Sequence, residues 1–209
     1  LEGLRFFGIQ EYELIRKRDS LEYNVLTIGN SISYEDRFYE YRQTEPFDGL
    51  GESYLTGSLK KTTKFEDFQI KGMATLDNST LGKVSAFIGY TDYNYGYNSV
   101  LQLDDGIITN RVQGSLVQAG ASYEKEYKGF KLFGKGAINI SGNLDGNFIS
   151  GGASYALDAD NEVKASIKIH SVAPNFNLLL NQSDYVNYNW QTNFDNVKTQ
   201  ELKFDIRSK

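Results

Sequence analysis

His170 is the only histidine of the chain, and it is followed directly by Ser171. A serine–histidine pair is the core of many hydrolytic active sites, so this pair is the first candidate for catalysis. Residues 163–171, however, alternate strictly between apolar and polar side chains, which predicts a β-strand. Because adjacent strand residues point to opposite faces, the imidazole cannot take a proton from the neighbouring hydroxyl. We therefore predict that the protein is not an enzyme and that His170 is a polar residue near the rim of a sheet.

Two other segments have residues suited to metal or phosphate binding. Residues 158–162 (Asp-Ala-Asp-Asn-Glu) are as acidic as a calcium loop, but they lack its central glycine and distant glutamate. Residues 134–136 (Gly-Lys-Gly) resemble part of a phosphate-binding loop, but the glycines keep the period of a strand and no helical pattern follows. Without cysteine, the chain has no thiolate ligand for a metal ion. We expect a solvated turn, a strand, and no metal ion or cofactor.

The alternation at residues 163–171 recurs along most of the chain. Val163, Ala165 and Ile167 share one face of this strand, and Lys164 and Lys168 share the other. About ten such strands follow one another with polar turns between them and no helical pattern, which predicts one meandering antiparallel sheet. An apolar outer face and a polar inner face are typical of a barrel that crosses the bacterial outer membrane. The predicted fold class is therefore all-β, an antiparallel transmembrane β-barrel.

The basic residues on the polar face are expected to face the lumen of this barrel. They are Lys71, Lys83, Lys131, Lys135, Lys164, Lys168, Lys203 and Arg207. On the opposite face many positions are glycine or alanine, for example Gly72, Gly134 and Ala153. Small outward residues are compatible with lipid, whereas they would leave the core of a β-sandwich thin.

Composition agrees with a strand-rich membrane protein and excludes other classes. Apolar residues make up 40% of the chain and the mean hydropathy is −0.47, which argues against membrane-spanning helices. The 22 basic and 27 acidic residues are mixed throughout, so there is no basic footprint for nucleic acid. The chain begins Leu-Glu-Gly and ends within a strand pattern, so we expect both ends to be cuts. Residues 1–209 are then a single segment of a larger barrel.

The connections differ in length in a way that predicts sidedness. Turns near residues 77–80, 127–129 and 158–161 are short, whereas residues 91–110 and 172–200 form long loops. Outer-membrane barrels have short periplasmic turns and long external loops. Counting strands as alternately up and down puts the three short turns at one end and both long loops at the other. The short turn at 142–146 is the exception at the external end.

Two further sequence predictions concern the first third of the chain. Residues 39–51 contain Glu-Pro-Phe-Asp-Gly, a cluster of turn-forming residues that predicts an interruption of the sheet. Residues 54–62 follow with Leu55, Gly57 and Leu59 in phase, which predicts a separate strand before the one at 68–76.

Aromatic, Asn-rich motifs lie within the long loops. They read Ser-Val-Ala-Pro-Asn-Phe-Asn at 171–177, Gln-Ser-Asp-Tyr-Val-Asn-Tyr-Asn-Trp at 182–190 and Tyr-Gly-Tyr-Asn-Ser-Val at 95–100, with Ile-Asn-Ile-Ser-Gly at 138–142 in a strand. In these motifs the chain resembles the putative porin family of Bacteroidetes. The resemblance implies part of a longer outer-membrane β-barrel and supplies no catalytic residues.

The aromatic residues of these loops allow two interpretations. They are Tyr93, Tyr95, Tyr97, Tyr185, Tyr188 and Trp190. In the first, they form an interfacial belt at the membrane surface or pack the loops together. In the second, they stack on sugars or line a constriction.

Three functions are compatible with the sequence. The first is a porin-like barrel in the bacterial outer membrane that passes small hydrophilic solutes, with lipid as its surroundings. The second is a non-conducting envelope barrel that serves as a scaffold subunit for other outer-membrane proteins. The third is a soluble secreted β-sandwich that binds polysaccharide. A barrel would need detergent for extraction, and a sandwich would not.

Overall fold

The computed structural model describes residues 2–19, 22–98, 100–103 and 106–208. Ser99 of the 95–100 motif and the acidic residues Asp104 and Asp105 of the predicted loop lie outside the described residues. Within them, the fold is all-β, with thirteen strands and one short helix, α1 (Phe176–Leu179). The strands are β1 (Glu2–Arg18), β2 (Tyr23–Gln43), β3 (Leu59–Asn78), β4 (Gly82–Tyr97), β5 (Leu101–Leu103), β6 (Gly106–Ile108), β7 (Arg111–Tyr127), β8 (Phe130–Gly142), β9 (Gly146–Ala156), β10 (Glu162–Val172), β11 (Leu180–Asn181), β12 (Trp190–Gln191) and β13 (Val197–Arg207).

Nine of these strands form one large sheet in the order β1-β2-β3-β4-β7-β8-β9-β10-β13. Every neighbouring pair is antiparallel and consecutive along the main sheet, so the topology is a meander. The four short strands form two small pairs, β5 with β6 and β11 with β12, within loops. Within the described residues the large sheet is open, because neither β1 nor β13 has a partner on its outer side.

The pairing register sorts the side chains of the large sheet into two chemically distinct faces. The apolar face has an almost continuous apolar band, which Asn30 interrupts on β2. The band comprises Leu26, Ile28, Ile32, Phe68, Ile70, Gly72, Ala74, Leu76, Val84, Ala86, Ile88, Val117, Ala119, Ala121, Leu132, Gly134, Gly136, Ile138, Ile149, Gly151, Ala153, Val163, Ala165, Ile167, Ile169, Leu202, Phe204 and Ile206. The opposite, polar face has mainly lysine, serine, threonine and carboxylate side chains between its few aromatic residues.

The apolar face of the sheet is widely exposed, which is unusual for a soluble protein. Ile88 and Ile149, in the apolar band, are 57% and 60% exposed. Ser154, on the polar face, is only 7% exposed. Lys135 and Lys168, also on the polar face, are exposed. No second layer of described residues packs on the apolar band. The sandwich interpretation requires such a layer, so the structure does not support it.

The two ends of the sheet have connections of very different length, as the sequence predicts. At one end lie the short turns after β1, β3, β7 and β9. At the other end lie the long loops 44–58, 98–110 and 173–196, together with the short turn between β8 and β9. The predicted placement of the short turns at one end and the long loops at the other is confirmed. The short turn at 142–146 lies at the long-loop end, also as predicted.

The short turns have the local chemistry that tight reversals need. Lys128 and Gly129 both have positive φ values, 49° and 80°, which a two-residue hairpin requires. The side-chain oxygen of Asn78 accepts hydrogen bonds from the backbone N–H groups of Thr80 and Leu81. The neighbouring strand β7 also supports the second turn, because the Lys125 ammonium donates hydrogen bonds to the carbonyl oxygens of Ser79 and Thr80.

Several strands are longer than the sequence pattern predicts, and one predicted strand is wrong. Residues 54–58 are irregular, and β3 runs without a break from Leu59 to Asn78, so the large sheet has nine strands rather than about ten. Likewise β2 extends to Gln43 and β4 to Tyr97, and β13 starts at Val197. The reason is that the hydrogen-bond ladder continues beyond the apolar band, where outward side chains such as Glu66 and Asn94 are polar. Hydrophobic alternation is lost there although the strands go on.

Candidate functional site

The polar face of the sheet is the first part of the candidate site. The register places all eight basic residues that the sequence singles out on this one face: Lys71, Lys83, Lys131, Lys135, Lys164, Lys168, Lys203 and Arg207. Some are held by neighbours on the same face. The Lys131 ammonium lies 2.9 Å from a Glu124 carboxylate oxygen, and the Lys203 ammonium lies 3.0 Å from Asp205.

The second part is the longest loop, residues 173–196, which folds against the polar face at the long-loop end. The side chain of Asn175 accepts a hydrogen bond from the backbone N–H of Asn177 and so begins α1. The ring of Phe176 then stacks on Tyr93 and Tyr95, with centroid distances of 5.3 and 5.5 Å. It also contacts Phe65 at 5.9 Å. Since these three partners belong to β3 and β4, the ring fastens the loop to the wall of the sheet.

A polar network continues this attachment next to Phe176. The side-chain oxygen of Asn181 accepts hydrogen bonds from the Lys61 ammonium at 3.0 Å and the Tyr97 hydroxyl at 3.1 Å. The ammonium also lies 4.7 Å from the centre of the Tyr97 ring, a cation–π contact. The hydroxyls of Tyr95 and Tyr97 lie 3.1 Å apart, and burial raises the pKa of Tyr95. The Tyr95 hydroxyl therefore remains a neutral hydrogen-bonding partner of Tyr97 at physiological pH.

A small apolar cluster lies under the same part of the loop. Leu180 is fully buried against Tyr97 and Ile108, the last of which belongs to the β5–β6 hairpin. The buried side chain of Gln182 donates hydrogen bonds to the carbonyl oxygens of Ile108 and Thr109. The loop is thus joined to the neighbouring loop as well as to the sheet.

Tyr185 joins the long loop to a third segment, residues 44–58. It is 5% exposed, and its hydroxyl donates to the side-chain oxygen of Gln43 at 3.1 Å and accepts from the backbone N–H of Phe47 at 2.8 Å. Its backbone forms an antiparallel bridge with Ser53. The side chain of Asn189 accepts from the Ser183 N–H and donates to the Tyr185 carbonyl, which fixes the turn in between.

Between these loops lies a cavity of about 270 Å³. Its lining includes Lys61, Tyr97, Gln182, Asp184 and Asn189, so ammonium, hydroxyl, amide and carboxylate groups all face it. Burial lowers the pKa of Lys61, and the nearby carboxylate of Asp184 opposes that shift. Lys61 lies beyond the apolar band. Most polar groups of the lining already hydrogen-bond within the loops, as Lys61, Gln182 and Asn189 do.

Comparison with known proteins agrees with this geometry. The family model described as Putative porin matches residues 1–209, the whole chain. The chain belongs to this family. Searches of curated proteins and of solved structures find no match.

In this porin-family chain, the motifs that carry the resemblance now have physical roles. Motif 171–177 supplies the cap of α1 and the stacking ring of Phe176, and motif 182–190 supplies Gln182, Tyr185 and Asn189. Trp190 closes the loop on itself, because its ring N–H donates to the carbonyl oxygen of Asn177. The motifs therefore dock the loops.

The loop aromatics pack the loops rather than form an outward belt. Tyr93, Tyr97 and Tyr185 are buried, and Tyr95 lies against Phe176. Other aromatic residues lie on the outward face, and six of them are at the two margins of the apolar band. They are Tyr34, Phe68 and Tyr90 towards the long loops, and Tyr123, Phe130 and Tyr155 towards the short turns. Aromatic girdles of this kind mark the two interfaces of membrane barrels.

Two other sequence candidates, the pair His170–Ser171 and the acidic turn at 158–162, lie among structural neighbours. His170 pairs across the sheet with Thr199 and Phe148 on the polar face, whereas Ser171 accepts a hydrogen bond from the Asn196 side chain on the other face. The Asp158 carboxylate accepts hydrogen bonds from the backbone N–H groups of Asp160 and Asn161 and from the Asn161 side chain. These bonds lower the pKa of Asp158 and close the turn.

The sequence provided little signal for the residues that hold the loop in place on the sheet side. Lys61 and Asn181 come from distant segments and belong to none of the quoted motifs, whereas Tyr97 belongs to the motif at 95–100. None of the helices in the described part of the chain is long and apolar enough to span a membrane.

Proposed function

We propose that this chain forms part of the wall of an outer-membrane β-barrel through which small hydrophilic solutes pass. The observation that carries the proposal is the broad, exposed apolar band on one face of the sheet, with a lysine- and serine-rich face opposite it. In a barrel the apolar band would face lipid and the polar face the lumen. On β3 the band runs from Phe68 to Leu76, which suits a tilted transmembrane strand of ~9–11 residues. Membership of the porin family supports the same location.

The open edges of the sheet support closure with further strands. An unpaired strand edge in lipid leaves N–H and C=O groups without partners, which is why membrane-spanning sheets close on themselves. Apolar outward residues continue to both edges, Phe6 on β1 at 55% exposure and Phe204 on β13 at 73%. We therefore propose that the nine strands are an arc of a barrel and that both edges pair with additional strands.

The position of loop 173–196 favours a pore that is narrow at the external end. Residues 173–196 are fixed against the inner face by Phe176 and by the hydrogen bonds of Asn181. A loop held there reduces the free cross-section at the external end. If it blocks the lumen completely, the protein acts instead as a non-conducting scaffold subunit, which is the second candidate function.

Solute permeation into liposomes that contain the full-length protein tests the proposal. We expect swelling in small sugars and an upper size limit, and we expect extraction from membranes to need detergent. Recovery in the soluble fraction would overturn the membrane location. Stable insertion without any permeation would overturn the pore and favour the scaffold.

A further inference from the structure

Two rows of side chains on the polar face repeat the same arrangement across β8, β9 and β10. In the first row, Ser154 pairs with Lys131 on one side and with Lys164 on the other. In the second row, Ser150 pairs with Lys135 and Lys168. Each row therefore has a hydroxyl on the central strand between two lysines. The repeat follows from register alone, because the lysine spacing is four residues on both outer strands.

The dimensions of a row suit one small anion. Neighbouring strands lie ~4.8 Å apart, so the backbones of the two lysines in a row are roughly 10 Å apart. Two long side chains can converge from that separation on a single oxyanion, with the serine hydroxyl as a third donor. The two rows are about 13 Å apart along the strand, at ~3.3 Å per residue.

Most of these ammonium groups are available to a ligand. Among the described residues, Lys135, Lys164 and Lys168 make no ion pair, and Lys131 alone is paired, with Glu124. The Lys164 ammonium lies 5.0 Å from the centre of the Phe133 ring, which positions it without neutralising its charge. Carboxylates extend both rows on the neighbouring strands. In the first row Glu126 pairs with Lys131 and Asp205 pairs with Lys164. In the second row Glu201 pairs with Lys168.

The space in front of the rows is large enough for a solute. A cavity of about 710 Å³ covers this part of the polar face. Three of the four lysines of the rows (Lys131, Lys135 and Lys164), both serines and Phe133 line it, whereas Lys168 does not. Lys83, Glu124 and Glu162 line it as well, so the cavity also has two carboxylates. It holds more than a bare phosphate, and the Phe133 ring offers an apolar contact for the carbon part of a solute.

We propose that these rows are two successive binding stations for the oxyanion group of small phosphorylated or carboxylated solutes. The inference rests on the proposed pore function and adds a solute class to it. Two weak stations in series let an anion enter, move to the next row and leave, which conduction requires. The carboxylates at the row ends limit the affinity and so favour release.

Planar bilayers that contain the full-length protein test selectivity. We expect the pore to prefer chloride over potassium and inorganic phosphate to block the chloride current. In the Lys135→Gln/Lys168→Gln variant the preference should fall and the block should weaken about tenfold, because two charge-assisted donors are lost. The matched control is Lys64→Gln/Lys198→Gln, which removes two charges from the outward side and should behave as the unaltered protein. Phosphate block that is unchanged in the first variant would overturn the proposal.

A second readout does not depend on conduction. Detergent-solubilised protein is treated with an amine-acylating reagent, with and without inorganic phosphate, and modification is measured by peptide mass spectrometry. Phosphate should protect Lys135 and Lys168 and leave Lys64 unchanged. Protection without any bilayer current would retain the stations and overturn the pore. A bilayer current that shows no preference for chloride, with no protection of the lysines by phosphate, would support the pore and overturn the binding stations.

Discussion

The ring of Phe176 stacks on the ring of Tyr95, at an interplanar angle of 18°. Phe176 begins the only helix longer than one turn of 3₁₀ in the described residues, and Tyr95 lies where β4 has passed the apolar band. The contact joins the longest loop to the polar face of the sheet. It acts together with the hydrogen bonds of Asn181 and Tyr185, which attach the same loop to the sheet further along.

Phe176→Ala should release the loop from the wall. The substitution removes three aromatic contacts, and we expect loop docking to weaken by about 2 kcal/mol. Limited proteolysis of the purified protein should then cut within residues 173–196 faster than in the unaltered chain. Phe194→Ala is the control, because Phe194 belongs to the same loop and is 58% exposed. Equal cleavage of the two variants would contradict the role of Phe176.

Ile167→Arg should impair membrane insertion. Ile167 is 48% exposed in the apolar band, and an arginine on the lipid face near the midplane costs about 2–4 kcal/mol. Ser166→Arg makes the same change one residue away on the polar face and should leave insertion intact. Insertion is measured as the detergent-extractable fraction in membranes. If Ser166→Arg failed and Ile167→Arg inserted, the assignment of the two faces would be reversed.

Two cysteine variants should report the sidedness of the loops. Asn187 lies exposed in loop 173–196, and Asp160 lies exposed in the turn between β9 and β10. The chain has no native cysteine to interfere. On intact cells, an impermeant maleimide should label Asn187→Cys and should reach Asp160→Cys only after the outer membrane is permeabilised. If Asp160→Cys were labelled on intact cells and Asn187→Cys only after permeabilisation, the barrel would have the opposite orientation in the membrane.

Asp184→Asn should lower the pKa of Lys61 further. Burial already holds this pKa below its ordinary value of 10.5, and the Asp184 carboxylate is the group that favours the charged form. The docked chain then binds fewer protons than the unfolded chain as pH approaches 10.5, so docking becomes more stable as pH rises through that window. The midpoint of Lys61 acylation against pH measures the shift. A midpoint that stays constant or moves up in the variant would refute the coupling.

The sequence by itself determined the class of fold and the division into two faces. A strand places successive residues on opposite sides, so apolar–polar alternation such as that of residues 163–171 is enough to assign Ile167 and Lys168 to different faces. Turn residues determined most reversals in the same local way, as at Asn78 and Lys128. The parity of short turns and long loops then followed from the order of the strands.

Only the tertiary structure decided the strand lengths, the partners of the long loops and the cross-strand rows. Strands continue past the apolar band because their stability there comes from the backbone ladder between chain segments, which leaves no hydrophobic pattern. Phe176, Lys61 and Asn181 meet through contacts between distant segments, which a local pattern cannot encode. The lysine–serine rows depend on register, and a slip of one residue would move every lysine to the other face. Register is set by pairing across the whole sheet, so it is a property of the folded chain.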